Sequence, residues 1–519
     1  MSKGALARAG LVVTGAFLAS RVLGWLRVLV LGNLFGKPDS IADLDAYYAA
    51  FRIPDLTFEL VAAGAIASAL IPVLSGLLAN GERERAWRVA SSVMNLMLAA
   101  LLVFAVTFAI LAPVIVPLLV PGFDEATTAL TVDLTRLMLV APIFLAAGSV
   151  VSAILQTQDR FGAAALAPVI YNASIIAGAL LLSPALGIYG VALGVVIGAI
   201  GHLLVQLPAL RGRFDYSLRA DVSDHAARQT FWLMLPRAIG MGANQITFLV
   251  NTALASTVAV GAVVSYTVAF SVLQIPLGVI GLPLGIVLLP SMSRALALGQ
   301  ETEFSELVTR ALRLLLWLMA FVAAVGIVAR DQVVDLLFGW GFDEPTLIAT
   351  AAALGVFLLG LPAHAMNVIL ARAFYSGKDT ITPVSVAIVS VGVNVVISLA
   401  TVETWGIRGL ALGIALGAWF EAASLTFLLR RRHGSFHAMP VVSGGLFSLA
   451  GALMAALVAA GVLALDLVPA DVPRVASLLL DLGMASGAGL ALYVLYSRLV
   501  RLPELGRALD LARAARRGR

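Results

Sequence analysis

The chain has no cysteine among its 519 residues, which excludes disulfides, thiolate metal sites and cysteine nucleophiles. It is also poor in charge: only 12% of residues are Asp, Glu, Lys or Arg, against roughly 25% in a soluble domain. A water-facing surface of ordinary size cannot be built from so little. Soluble-enzyme motifs are missing as well. There is no G-x-x-x-x-G-K-[ST], no H-E-x-x-H, and no G-x-S-x-G in a strand–turn–helix setting. ATP hydrolysis therefore has no site, and nucleic-acid binding has no domain to house it. Any transport is left to an ion gradient, the membrane potential or the cargo's own gradient.

What is there is apolar. Hydrophobic residues make up 61% of the chain and mean hydropathy is +1.01. Apolar runs long enough to cross a bilayer recur with short gaps, and they are too continuous for barrel strands. We read fourteen spans between residues 10 and 497, the second over 47–78 and the seventh over 231–254. The fold expected is an all-α polytopic membrane protein. Arg21 and Arg27 interrupt the first apolar stretch, which argues against a cleavable signal peptide.

Charge orients the spans. Assigning loops alternately gathers 25 of the 34 basic residues on one side, including Arg83, Arg85, Arg211, Arg213 and Arg430 to Arg432. The opposite loops are mostly acidic, with Asp124, Glu125, Asp343 and Glu344. The positive-inside rule puts both termini in the cytoplasm. The basic tail could also grip anionic lipid.

Local patterns recur near one offset. G-F-D-E at 122–125 returns at 341–344, and G-I-Y-G-V-A-L-G from Gly187 returns as G-I-R-G-L-A-L-G from Gly406. Tyr48 matches Tyr266, and Asp159 matches Asp379. The organisation expected is a lobe over 1–210, a cytoplasmic linker over 211–230, and a second lobe over 231–432. A helix pair over 433–498 and a basic tail over 499–519 follow. Two lobes of six spans form a parallel repeat, an arrangement suited to a central cavity that opens alternately to each face.

Five arginines fall within spans: Arg21, Arg27, Arg52, Arg136 and Arg237. Each costs roughly 2.5–3.5 kcal/mol even on the lenient insertion scale. A cationic cavity for an anionic headgroup is one reading, since guanidinium forks match phosphate oxygens. Local neutralisation is the other: Arg52 by Asp45 or Glu59, spaced seven and seven on one helix face, and Arg136 by Asp133. Pro54 stands to kink that face. No acid lies near Arg21 and Arg27 in sequence, which favours function there. Glu421 is a candidate for ion coupling. The asparagines, Asn244 and Asn394 among them, suit interhelical hydrogen bonds or oxygen donation to a cation.

These residues resemble a known family. S-R-V-L-G-W-L-R at 20–27, L-D-A-Y-Y-A-A-F-R-I-P-D-L at 44–56 and A-G-A-I-A-S-A-L-I-P-V at 63–73 look like the start of MurJ/MviN proteins. V-P-G-F-D at 120–124, A-P-V-I-Y-N at 167–172 and F-Y-S-G-K-D-T-I-T-P-V at 374–384 extend the likeness over essentially the whole chain. The resemblance implies a lipid II flippase of the multidrug/oligosaccharidyl-lipid/polysaccharide exporter superfamily, not an enzyme. It moves an undecaprenyl-diphosphate-linked muropeptide to the outer leaflet by alternating access. It implies headgroup binding by Arg21, Arg27 and Arg52, with the family's essential aspartate falling on Asp45. Secondary candidates are Glu59, Glu421 and the positions Ser271 and Gln274, where the family has an arginine and a glutamate. Phe58 and Ala63 likewise stand where relatives carry charge. The sodium site of some members would fall near Asn244 and Asn394, both uncharged here. The resemblance implies no cofactor, and leaves coupling to the membrane potential or a monovalent cation open. Partners implied are lipid II, membrane lipids and other cell-wall synthesis proteins, around a monomer. An exporter of another polyprenyl-linked glycan or of amphipathic drugs is the alternative.

Overall fold

A computed structural model describes residues 3–61, 65–218, 221, 224–469 and 471–517, and the side chains of these except 3–14, 17, 60–61, 65–69, 231, 233–244, 511–512 and 514–517. Among the described residues the secondary structure is helical throughout, without a strand. Twelve helical stretches among the described residues are long and apolar enough to cross a membrane. The chain is an all-α, multi-pass membrane protein. It divides into two compact units, Met1–Val264 and Ser265–Arg519.

Unit 1 begins with α1 (Lys3–Phe35), α2 (Ile41–Ala50), α3 (Arg52–Val61) and α4 (Ala65–Ala79). It continues with α5 (Arg83–Leu119), α6 (Glu125–Met138), α7 (Ala141–Thr157) and α8 (Phe161–Ala177). A π turn over Gly178–Leu182 leads to α9 (Ser183–Leu186), α10 (Ile188–Leu204), α11 (Leu207–Leu210) and α12 (His225–Ser256). Helix α12 packs on α3, α4 and α5, so the packing boundary falls after it. Two of the fourteen expected spans are not among these twelve, and each includes residues or side chains outside the described ones. One coincides with the broken α2–α4 stretch and the other with α12.

The break in the second span has a local cause. Pro54 has no N–H to offer the carbonyl of Ala50 one turn earlier, and α2 ends at that residue. Helix α5 shows what solvent these helices meet. Leu102, Val106, Ile110, Val114 and Leu118, one turn apart, are each at least half exposed. The buried side, with Leu101, Ala105, Ala112 and Val116, is equally apolar. A helix apolar on both faces is stable only where lipid covers the outer one.

Unit 2 contains α13 (Ala262–Pro276), which begins in the last residues of unit 1, and a π turn over Leu277–Gly281. Then come α14 (Leu282–Ala297), α15 (Glu301–Val328), α16 (Arg330–Phe338), α17 (Glu344–Ser376) and α18 (Ile381–Trp405). The unit ends with α19 (Ile407–Arg432), α20 (Met439–Ala464), α21 (Arg474–Leu499) and α22 (Pro503–Arg517). Trp317 of α15 stacks on Tyr493 of α21 at 5.1 Å and donates from Nε1 to Ser497 Oγ at 3.0 Å. The buried Glu504 of α22 pairs with Arg313 of α15, which fixes the terminal helix to this unit.

The sequence repeat reappears as matching local geometry in each unit. Asp124 caps α6 by accepting from Thr127 N at 2.7 Å, and Asp343 caps α17 by accepting from Thr346 N at 3.1 Å. Gly187 and Gly406 adopt nearly the same left-handed φ, 57° and 55°. Gly194 touches the backbone of α8 where Gly413 touches that of α18, and a β-carbon at either would sit within 3.0 Å of the facing backbone oxygen. Asp159 has φ 59°, and Lys378, one before the expected Asp379, has φ 62°.

Candidate functional site

The charged residues of unit 1 separate into two arrangements. In the first, Arg27 of α1 lies within electrostatic reach of Tyr47 and Tyr48 on α2, Asp55 on α3 and Tyr171 on α8. It makes no hydrogen bond or salt bridge among the described residues. Arg52, the first residue of α3, donates from Nε to Thr252 Oγ1 of α12 at 2.9 Å and lies 5.2 Å over the Phe248 ring. Asp55 faces both Arg27 and Arg52 electrostatically. Asp55 follows Arg52 by three positions, about one helical turn. Tyr48 Oη and Glu59 Oε2 are buried and have no hydrogen-bond partner among the described residues. Two guanidiniums, one central carboxylate and several phenols thus form a cluster with spare donors, and in an apolar setting those donors are strong.

In the second arrangement Asp45 is committed elsewhere. Its side chain is 1% exposed, Oδ2 accepts from Gly261 N at 2.6 Å, and Oδ1 accepts from Val264 N at 2.7 Å. A carboxylate on the first amides of α13 satisfies donors that a helix start leaves open. Arg52 bonds Thr252 while Asp45 bonds the 261–264 backbone, both on the stretch that runs from α12 into α13.

Arg21, six residues before Arg27 on α1, is exposed. Ser271 donates to its own helix at Thr267 O, 2.8 Å away, and Gln274 is exposed. Glu421 on α19 is half-buried, with no hydrogen bond or ion pair among the described residues. Asn394 is 3% exposed and packs against α19, where a β-carbon on Gly413 would come 2.9 Å from its Nδ2. The side chains of Asn244 and Arg237, and residue Ala63, lie outside the described residues. Phe58 packs on the apolar cluster around Leu70, Trp87 and Val150. Arg136 reaches Ala109 O at 3.0 Å and Asp133 at 4.0 Å from an exposed position, so its charge is met locally. No group of three His, Asp or Glu residues able to hold a metal occurs among the described residues.

Sequence reasoning missed Asp55, Tyr47, Tyr48, Tyr171 and Thr252. The helical spacing of Asp55 from Arg52 was a usable signal; Tyr171 and Thr252 carry none, being distant in sequence.

Three comparisons agree on what the chain resembles. Residues 33–469 match the family model described as "Lipid II flippase MurJ". The lipid II flippase MurJ of Burkholderia cenocepacia is 32% identical over 474 residues, covering 88% of this chain and 89% of that protein. The probable lipid II flippase MurJ of Bdellovibrio bacteriovorus is 29% identical over 470 residues, 87% of each. A lipid II flippase MurJ structure in an inward closed conformation has TM-score 0.79 at 21% identity, covering 94% of this chain and 98% of that one. An inward-facing MATE multidrug transporter has TM-score 0.67 at 17% identity over 82% of this chain and 98% of that one. At such identities the structural likeness concerns the fold alone.

Proposed function

Because the chain belongs to the MurJ family, by a model match over 33–469 and 32% identity to a curated member, we propose that it is a lipid II flippase. It carries out no covalent step. It moves an undecaprenyl-diphosphate-linked muropeptide across the bacterial cell membrane by alternating access. The observation that carries this reading is the Arg27–Asp55–Arg52 cluster within an apolar unit. Charge at such depth is retained where it meets a ligand or a pathway. A diphosphate would take the free donors of Arg27 and Tyr48 and compete with Asp55 for the guanidiniums. Arg21 adds a further guanidinium on the same helix as Arg27, while Asp45 positions the backbone at 261–264. Glu59 and Glu421 are secondary candidates, with Ser271 and Gln274 as uncharged substitutes at family positions; Asn244 and Asn394 remain the candidates for a monovalent cation.

The architecture proposed with this function has fourteen crossings. The twelve apolar helical stretches are joined by the α2–α4 stretch and by the 32-residue α12. Two lobes of six, over 1–210 and 231–432, are linked by 211–230 and followed by the 433–498 pair and the 499–519 tail. Both termini are cytoplasmic. The paired Asp124 and Asp343 caps and the matching Gly187 and Gly406 turns support the repeat.

The test is rescue of flippase-depleted bacteria by this gene, read against lipid II accumulation. Growth with lipid II at wild-type level is expected. Accumulation that persists despite normal protein level would contradict the proposal. It would favour a different polyprenyl-linked glycan, for which the uncharged Ser271 and Gln274 are the motivating observation.

A further inference from the structure

We propose that unit 1 also carries a binding site for an anionic glycerophospholipid, with Arg83, Arg211 and Arg213 holding the headgroup phosphate and an apolar groove beside α5 and α7 holding an acyl chain. The site shares no residue with the Arg27 cluster and does not depend on which cargo is moved.

Two adjoining cavities define it. One, of about 470 Å³, is lined by Arg83, Trp87, Gln158, Arg211 and Arg213, among others. The next, of about 450 Å³, shares Arg211 and Gly212 and is otherwise almost wholly apolar, with Met94, Leu98, Val151 and Leu203 along it. No carboxylate lines either cavity. The nearby acids are already engaged, because Arg85 bonds Glu82 and Asp224, each at 2.9 Å. Arg83, Arg211 and Arg213 have no ion-pair partner among the described residues. Three arginines lining one cavity without an acid suit an anion, and guanidinium forks match phosphate oxygens.

A second observation points the same way. Trp87 is 3% exposed, yet its indole Nε1–H has no acceptor among the described residues. Buried donors are rarely left in that state. Nε1 lies just beneath the cavity surface, so a headgroup oxygen would reach it only with a small shift of the lining. The Arg83 guanidinium lies over the Trp87 ring, 5.9 Å from its centre, a cation–π contact on the same cavity wall.

The wall opposite α5 is a built structure. Ser217 N donates to Ser91 Oγ at 3.1 Å and Asp221 N to Ser92 Oγ at 2.9 Å. Asn95 donates to Ser217 O at 2.8 Å and accepts from Tyr216 Oη at 2.6 Å. Phe214 meets Trp87 edge-on at 5.6 Å. Between the two loop arginines, Gly212 takes φ +66°, which a side chain would resist.

The order of residues along α5 selects a lipid over a soluble anion. Arg83 and Trp87 occupy its first two turns, while Met94 and Leu98 lie two to four turns on. At ~1.5 Å per residue, Leu98 is roughly 22 Å beyond Arg83. Beyond it begins the lipid-exposed row from Leu102. Charge sits at the helix end and apolar lining runs into the membrane, as a phospholipid lies. Basic pockets between helices at the membrane surface take lipid headgroups in this way.

The test is native mass spectrometry of the full-length protein titrated with phosphatidylglycerol and with phosphatidylcholine of the same chains. At least tenfold tighter retention of phosphatidylglycerol is expected. R83Q/R211Q/R213Q should abolish the preference, whereas R294Q/R430Q/R431Q, which removes three exposed charges from unit 2, should keep it. Arg211→Gln alone, at an exposed position, should weaken retention with unchanged thermal unfolding, which separates the effect from misfolding. Equal retention of the two lipids, or equal loss in both triple variants, would overturn the proposal. So would displacement of phosphatidylglycerol by millimolar inorganic phosphate, or by equimolar undecaprenyl diphosphate, since the site would then belong to a free anion or to the cargo.

Discussion

Asp45 and Gly261, 216 positions apart, are joined by a 2.6 Å hydrogen bond in which the carboxylate accepts the backbone N–H. Its other oxygen takes Val264 N at 2.7 Å, so one buried side chain holds both ends of the turn into α13. The essential aspartate implied by the family resemblance therefore acts here on backbone.

Removing that acceptor should cost more than removing its charge. Asp45→Ala leaves two buried N–H groups unpaired, at about 1–3 kcal/mol each. Asp45→Asn keeps one oxygen and turns an amide N–H₂ toward the other donor. Thermal unfolding should rank wild type above D45N and D45N above D45A. Equal stability of all three would remove the capping role.

Arg52 is positioned by Thr252, and the bond is testable from the partner's side. Thr252→Val preserves shape and deletes the hydroxyl. A loss of about 0.5–1.5 kcal/mol is expected for a neutral partner, more for a charged one. Arg52→Lys should lose both this bond and the planar contact with Phe248. Transport per folded molecule should fall further in R52K than in T252V.

Much of this was legible in the sequence where the signal was local. G-F-D-E at 122–125 and 341–344 predicted corresponding positions, and both aspartates cap helices. Apolar periodicity predicted the helices but not the break after Ala50, because Pro54 is compatible with a kink or a stop. Asp45, Arg52 and Glu59 at intervals of seven suggest one face, but that spacing does not tell which group each side chain meets. Gly261 and Val264 as the partners of Asp45 could not be read at all, since a repeat marks equivalent positions and says nothing of contact between them. The 211–230 segment reads as a linker in the sequence, and nothing there shows that Ser91, Ser92 and Asn95 of α5 hold its backbone at Ser217 and Asp221.

The loop that leads into α12 should respond to acid. The hydrogen bond from Arg85 holds the Asp224 carboxyl below its usual range, against a smaller opposing effect of burial, with Ala226 N adding a further bond. A depressed carboxyl stabilises the fold above its unfolded value of about 3.9, and that contribution disappears as pH falls through the folded value. Hydrogen exchange in 211–228 should be flat from pH 8 to 5 after correction for intrinsic rate, then rise below pH 4. D224N should abolish that rise. A transition near pH 6 would point to another group.

Topology is open to direct labelling, because the chain has no cysteine of its own. Single cysteines at Asp221 and after Arg498 should be protected from impermeant thiol reagents in intact cells. Cysteines in the 121–124 and 340–343 loops should react. Labelling at Asp221 from outside would overturn the orientation.

Arg27 tests the central claim most directly. It faces Asp55 and three tyrosines without a hydrogen bond among the described residues, which leaves its fork free for a diphosphate. The measurement is lipid II translocation per folded molecule for wild type, R27K and R27A. The account predicts severe loss in R27A, on the order of 1.5–3 kcal/mol of substrate binding for one charge-assisted pair, with partial recovery in R27K, which restores charge without the planar fork. Equal rates for all three would contradict it and remove the cluster from the transport pathway.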